Sequence, residues 1–219
     1  MKFQLLEFGG NPFIGVYAKV SEDICILPEN YADARKTIEE TLGIEVILST
    51  VGESSVVGSM CVMNKNGIIL PSTATPEEIS AIGKRKAVCI IKDRLNACGN
   101  NILLTDKKAL LNPELGKRAE KQIRDTLGVE TLRGTIAGIK TVGMCGVAGG
   151  KALIVHPKIK EEEKKILAEF FQARIFEATA NLGTPYIGAC VLINSKGALI
   201  GSRSTSIEIM KIQEALLAP

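Results

Sequence analysis

The chain has 219 residues, 27 basic against 24 acidic side chains for a net charge of +3, and 46% hydrophobic residues. That mild charge neither demands nor excludes nucleic acid, and the apolar fraction is ample for a core. Aromatics make up only 4% with no Trp, so the interior is built from Ile, Leu, Val, Ala and Cys. No stretch is long and apolar enough for a helix to span a membrane: the best apolar run, around residues 187–193, falls far short of the ~20 residues required.

Phe3-Gln4-Leu5-Leu6-Glu7-Phe8 reads as a first strand, and its Gln4 and Glu7 speak against a signal peptide. Glycines then recur behind an apolar residue or Cys at Ile14-Gly15, Val57-Gly58, Cys98-Gly99, Val142-Gly143 and Ile187-Gly188, at steps of 43, 41, 44 and 45 residues. Thirteen or fourteen residues after each comes a turn residue: Pro28, Pro71, Pro113, Pro157 and Gly201. Self-similarity at such a period signals a repeat architecture.

Copy two is the clearest. Val57–Met63 reads as a strand, Asn64-Lys65-Asn66-Gly67 as a tight hairpin turn, and Ile68–Leu70 as the return strand. Thr75-Pro76-Glu77-Glu78 opens a helix with an N-cap, a proline at the first helical position and a capping box. Ala87–Ile91 is a short buried strand. In copy three, Leu115, Ala119, Ile123 and Leu127 form a helical stripe. In copy four, Ile159, Ile166, Phe170 and Phe171 form another, with residues 161–165 as a solvated helix start. Copy five repeats the capping box at Thr205 and Glu208 but stops before its third strand.

The segment 2–8 supplies the strand that copy five lacks. The expectation is a closed α/β ring, five-fold pseudosymmetric, of strand-strand-helix-strand copies in one domain: about 14–56, 57–97, 98–141, 142–186, and 187–219 completed by 2–8. Closure removes exposed end copies and strand edges. The added strand is expected beside residues 188–193.

Chemistry-bearing motifs are few. Six cysteines, at positions 25, 61, 89, 98, 145 and 190, form no CxxC pair and read as reduced core residues. With no set of His partners, no metal and no cofactor are expected. The single His156, in Val155-His156-Pro157, reads as a residue entering a turn, or as a general base. Gly146–Gly150 aligns with the hairpin tips of the other copies rather than with a phosphate loop.

The stretches Val57-Gly58-Ser59-Met60-Cys61-Val62, Gly67-Ile68-Ile69-Leu70-Pro71, Asp93-Arg94-Leu95-Asn96-Ala97-Cys98-Gly99-Asn100 and Ser202-Arg203-Ser204-Thr205-Ser206 carry a resemblance. With the five-copy ring they resemble the pentein, or five-bladed α/β propeller, fold and within it the translation initiation factor 6 family, archaeal type. The resemblance implies a cytoplasmic, non-enzymatic ribosome anti-association factor. Its partner would be the large ribosomal subunit, through ribosomal proteins and rRNA at the intersubunit face, with no free small-molecule substrate and no membrane. The alternative is a pentein enzyme modifying guanidino groups, with Cys190 as nucleophile and His156 beside it.

Comparison among copies suggests where binding residues lie. The position after each marked glycine holds Val16, Ser59, Asn100, Met144 and Ala189. The polar Ser59 and Asn100, in neighbouring copies, mark either tolerance at a part-exposed slot or a function on that side. Four of the five hairpin tips carry Lys, which reads as ordinary turn composition or as a partial basic ring. The ribosome-binding candidates are therefore Ser59, Asn64, Lys65 and Asn100, with little core packing expected at Asn64, Lys65 and Asn100.

Overall fold

The computed structural model describes residues 1–218, and its elements recur at the period of the glycines. Strand β1 (Lys2–Leu6) comes first. Copy one has a one-turn helix α1 (Ile14–Tyr17), an inner strand β2 (Lys19–Val20) and a return strand β3 (Ile24–Leu27). A 3-10 turn over Glu29–Ala34 runs into its outer helix α2 (Arg35–Leu42), and the outer strand β4 (Glu45–Leu48) ends the copy. Copy two repeats this as α3 (Val57–Met60), β5 (Val62–Met63), β6 (Gly67–Pro71), α4 (Pro76–Gly83) and β7 (Ala87–Ile91). Copy three has α5 (Cys98–Asn101), β8 (Ile102–Leu104), β9 (Lys108–Leu111), α6 (Lys117–Leu127) and β10 (Glu130–Arg133). Copy four has α7 (Val142–Cys145), β11 (Gly146–Gly149), β12 (Ala152–Val155), α8 (Glu161–Phe171) and β13 (Arg174–Glu177). Copy five ends with α9 (Ile187–Cys190), β14 (Val191–Ile193), β15 (Gly197–Gly201) and α10 (Ser206–Leu217).

The inner and return strands form an antiparallel hairpin. After the outer helix, the outer strand joins the return strand in parallel. Copy five takes its parallel strand from β1, with Lys2 opposite Gly197 and Leu6 opposite Gly201. Two expectations are corrected here. The strand stops at Leu6, since Phe8 bridges to Asn11. Its neighbour is β15, not residues 188–193, because β14 already occupies the other edge of β15.

A third correction concerns the marked glycines. Residues 57–60 are a helical turn rather than part of a strand, and each copy starts the same way. A Cβ built on Gly58 would collide with the carbonyl oxygen of Gly15, on Gly99 with that of Gly58, and on Gly143 with that of Gly99. On Gly188 it would meet the oxygen of Gly143, and on Gly15 that of Gly188. The five contacts close a circle. The inner strands touch in the same cyclic order, β2, β5, β8, β11, β14 and back to β2. The result is a five-fold pseudosymmetric α/β ring, the pentein architecture.

The core lies between copies as much as within them. Return strands are almost wholly buried, and Leu192 and Leu199 of copy five share a cluster with Phe8 and with Ile38 and Leu42 of copy one. In α8 the buried stripe is Leu167 with Phe171 behind it. Ile166, read as core-facing, is 54% exposed. The helix is turned by Glu163, which is not part of a solvated start but bonds the loop before copy four.

That bond is one of three of a kind. Glu78 accepts from Thr50 Oγ1 at 2.6 Å and from the backbone N–H of Gly52 and Glu53 at 2.7 and 2.9 Å. Glu163 accepts from Thr135 Oγ1 at 2.6 Å and from Ala137 and Gly138 N–H at 2.9 and 3.0 Å. Glu208 accepts from Thr179 Oγ1 and Gly183 N–H, both at 2.8 Å. Glu78 and Glu208 also close the capping boxes read from sequence. In copy three the charge changes sides, and Asp93 in the loop accepts from Gly116 N–H before the helix. In copy one an aromatic cluster of Phe8, Tyr17 and Tyr31 packs in its place.

Partial burial would raise the pKa of these three glutamates. The hydrogen bonds they accept outweigh it and hold each below its ordinary value of 4.5. A depressed folded-state pKa contributes stability that is complete above the unfolded value and is lost as pH falls through the folded one. Denaturant unfolding should therefore show a plateau near neutrality and a decline once pH drops below 4.5. Glu163→Gln should start about 2 kcal/mol less stable and lose less on acidification than the wild type.

Candidate functional site

Chain direction gives the ring two different ends. Return and outer strands run parallel, so the loops after the outer strands, and the one-turn helices they feed, gather at one end. The hairpin tips gather at the other.

The loop end carries the position that follows each marked glycine. Ala189 is buried, Ser59 is 8% exposed, and Val16, Asn100 and Met144 are half-buried. Val16 and Met144 pack on the cluster that contains Ala189, so this slot seals the seam between copies. Asn100 differs. Its Oδ1 is fully covered and has no hydrogen-bond partner, the one such side-chain atom among the described residues. The next residue, Asn101, is satisfied: its Nδ2 donates to Ala97 O at 2.9 Å and its Oδ1 accepts from Asn112 at 2.7 Å. Around this end lie Phe13 and Tyr186, 36% and 41% exposed, and Leu182, 71% exposed. Phe13 and Tyr186 occupy one slot, two before the marked glycine, where other copies have Val56, Ala97 and Thr141. With nine Phe and Tyr in the chain, two aromatics in one exposed slot were a signal in the sequence that the repeat comparison passed over.

The hairpin end forms a bowl of about 380 Å³ lined by the five tips. Asn64 lies there but is 4% exposed. Its Oδ1 accepts from Asn66 and Gly67 N–H at 2.9 and 3.2 Å, closing the turn. Its Nδ2 donates to Leu127 O at 2.9 Å, the last residue of α6 in the next copy. Asn194 does the same with Leu42 at the end of α2, at 2.8 Å. Asn64 is thus a clamp between copies, which corrects its placement as a residue with little packing role. Lys65 is exposed, and only its backbone N–H is engaged, by Asp106 Oδ1 at 3.1 Å. The partial basic ring is reduced further, because Lys108 donates to Phe170 O and Lys196 to Gly43 O. Lys65, Lys107 and Lys151 remain exposed at the rim.

The four candidate residues therefore do not meet on one face. Ser59 and Asn100 belong to the loop end, Asn64 and Lys65 to the hairpin end. Repeat comparison finds equivalent positions but not which end of the disc they reach.

The nucleophilic alternative fares poorly on geometry. Cys190 is fully buried, and burial pushes its thiol up to about 12. His156 enters a turn, where its Nδ1 accepts from Lys158 N–H at 3.1 Å and its ring meets Tyr186 edge-on at 5.8 Å. Burial lowers its pKa, helped by the Lys158 charge. His156 and Cys190 share no hydrogen bond among the described residues. No helix among those residues is long and apolar enough to cross a membrane.

A family model described as the eIF-6 family matches residues 3–215. A protein called translation initiation factor 6 from Methanosarcina mazei is 42% identical over 206 residues, covering 93% of each chain. Its namesake from Picrophilus torridus is 40% identical over 205 residues, covering 93% of this chain and 94% of its own. That from Pyrococcus horikoshii is 35% identical over 224 residues and 99% of both. Among solved structures, the N-terminal domain of ArgZ bound to substrate, an arginine dihydrolase from the ornithine-ammonia cycle in cyanobacteria, is similar with a TM-score of 0.52. It is 12% identical and covers 81% of this chain and 69% of its own, a likeness in fold alone.

The two neighbouring tip residues should separate cleanly in stability. Asn64→Ala leaves the N–H groups of Asn66 and Gly67 without their acceptor and removes one of two donors to the Leu127 carbonyl, the other being Asn66 Nδ2 at 2.7 Å, and should lose about 2–3 kcal/mol. Lys65→Glu should stay within about 0.5 kcal/mol of wild type. Urea denaturation of the two variants measures the difference.

Proposed function

This chain belongs to the eIF-6 family, and on that premise we propose that it is a ribosome anti-association factor: it binds the large ribosomal subunit and sterically blocks joining of the small one. Its role as a translation initiation factor follows from the family. The step from factor to anti-association is our reading, with the cytoplasm as its place of work. The observation that carries it is likeness to factor-6 proteins over nearly the whole chain. The mechanism needs no reaction. Bound factor and small subunit compete for one surface, and a closed ring held by backbone contacts is a rigid body suited to exclusion.

For the docking face we favour the loop end, with Asn100 and Ser59 near its centre. Asn100 Oδ1 is covered and has no partner of its own; once the half-buried Asn100 side chain turns outward on docking, such an acceptor gains about 1–3 kcal/mol from a donor in the complex. The exposed Phe13, Leu182 and Tyr186 give the same end an apolar rim of the kind that anchors protein interfaces. A large-subunit protein is therefore the expected direct neighbour. Lys65, at the other end, is assigned a lesser role toward rRNA phosphate. The guanidino-modifying alternative is set aside because Cys190 is sealed in the core and is not paired with His156.

Cosedimentation with separated subunits tests the proposal. The wild type should pellet with large subunits and not with small ones. Asn100→Ala, checked for an unchanged melting curve, should bind about tenfold more weakly, equivalent to ~1.4 kcal/mol. Binding should fall only modestly with added salt, since few phosphate contacts are expected at a net charge of +3. Equal pelleting with both subunits would overturn the proposal. Full-strength binding by Asn100→Ala and a strong loss in Lys65→Glu would move the docking face to the hairpin end.

A further inference from the structure

The bowl at the hairpin end narrows toward the axis of the ring. Val20, Met63, Leu104, Ala148 and Ile193, the fifth residue after each marked glycine, form the neck and line both the bowl and a smaller axial cavity of about 90 Å³. That volume has room for several water-sized molecules. The fourth residue after each glycine also lines the cavity. In four copies it is apolar: Val62, Leu103, Val147 and Leu192. In copy one it is Lys19.

Lys19 Nζ has neither a hydrogen bond nor an ion pair among the described residues, and it is not among the sealed polar atoms. The residue is half-buried and lines the cavity. The titratable side chains that act on it are Cys61 and Cys98, and no Asp or Glu among the described residues lines the cavity. Burial pushes both thiols upward, that of Cys61 to about 12, so both are neutral and neither supplies a counter-charge. A half-buried ammonium with no opposite charge beside it is unfavourable. Burial accordingly lowers the pKa of Lys19. The inner strands add a second feature. Each is paired on one side only, by its own return strand, and lines the axial cavity, so its other edge has no strand partner there. N–H groups on such edges donate to anions.

We infer that the axial cavity is a binding site for a monovalent inorganic anion of halide type, held by Lys19 on the pseudo-five-fold axis and entering through the hairpin-end bowl. One ammonium among apolar side chains neutralises one negative charge. A phosphate would bring further charge for which the cavity lining has no second cation.

The test uses the full chain and its Lys19→Leu variant. Leucine already fills this slot in two copies, so the variant is expected to fold. Crystals of each are soaked in bromide, and thermal melting is followed as chloride replaces gluconate at constant ionic strength, with a parallel phosphate series. The expected result is an anomalous bromide peak within hydrogen-bond distance of Lys19 Nζ, absent from Lys19→Leu. With it should come a saturating rise of a few degrees in the wild-type Tm in chloride, absent in the variant and in phosphate. An axial cavity without bromide in the wild type, a peak that persists in Lys19→Leu, or equal chloride responses of the two proteins would each overturn the inference. Phosphate stabilising the wild type as well as chloride does would also overturn the monovalent assignment.

Discussion

Five glycines touching in a circle set the geometry of everything else in this protein. Each packs its Cα against the carbonyl of the glycine one copy back, at a separation where only a hydrogen can stand. Close Cα–H to carbonyl approaches of this kind are weakly favourable in themselves, but their main effect is on shape. They bring the inner strands near enough to meet around a narrow axis, and they hold the one-turn helices at one end. The repeat period is the chain length needed to leave that circle, build an outer layer and return.

With the inner circle fixed, variation is confined to the ends. At the loop end the fastening changes from copy to copy: a glutamate from the outer helix in copies two, four and five, a reversed aspartate in copy three, an aromatic cluster in copy one. Each solution satisfies or covers the same loop, so the copies stay equivalent in backbone while their surfaces diverge. Asn100 and the aromatic pair Phe13 and Tyr186 are departures of this sort, on a frame that does not have to change to accommodate them. The same logic applies at the axis, where one slot filled by Val or Leu in four copies is a lysine in the first.

Much of this was legible in the sequence. Spacing marked the glycines, the hairpin turn at Asn64–Gly67 and the capping boxes at Thr75 and Thr205, and the missing strand of copy five pointed to closure by the N-terminus. What escaped had physical reasons. A four-residue helix is too short for a 3.6-residue period to register, so residues 57–60 read as strand. The second role of Asn64 depends on Leu127, 63 positions away, and no local pattern encodes it. Ile166 and Leu167 are adjacent apolar residues, and the hydrogen bonds of Glu163 decide which of them faces inward. The slot comparison found Ser59 and Asn100 because it asks where symmetry breaks. It could not show that Lys65 lies at the opposite end, which depends on the direction of the strands.

The dependence of the fold on the glycine circle is measured most directly by unfolding free energies of single Gly→Ala variants at positions 15, 58, 99, 143 and 188. Gly83→Ala is the control, because a methyl group at that exposed helix position meets only Val88 at 3.5 Å. Each circle variant should lose more than about 4 kcal/mol or fail to fold, while Gly83→Ala should be neutral or gain up to about 1 kcal/mol. Five circle variants no less stable than the control would show that the copies are held together by something other than their contact at the axis.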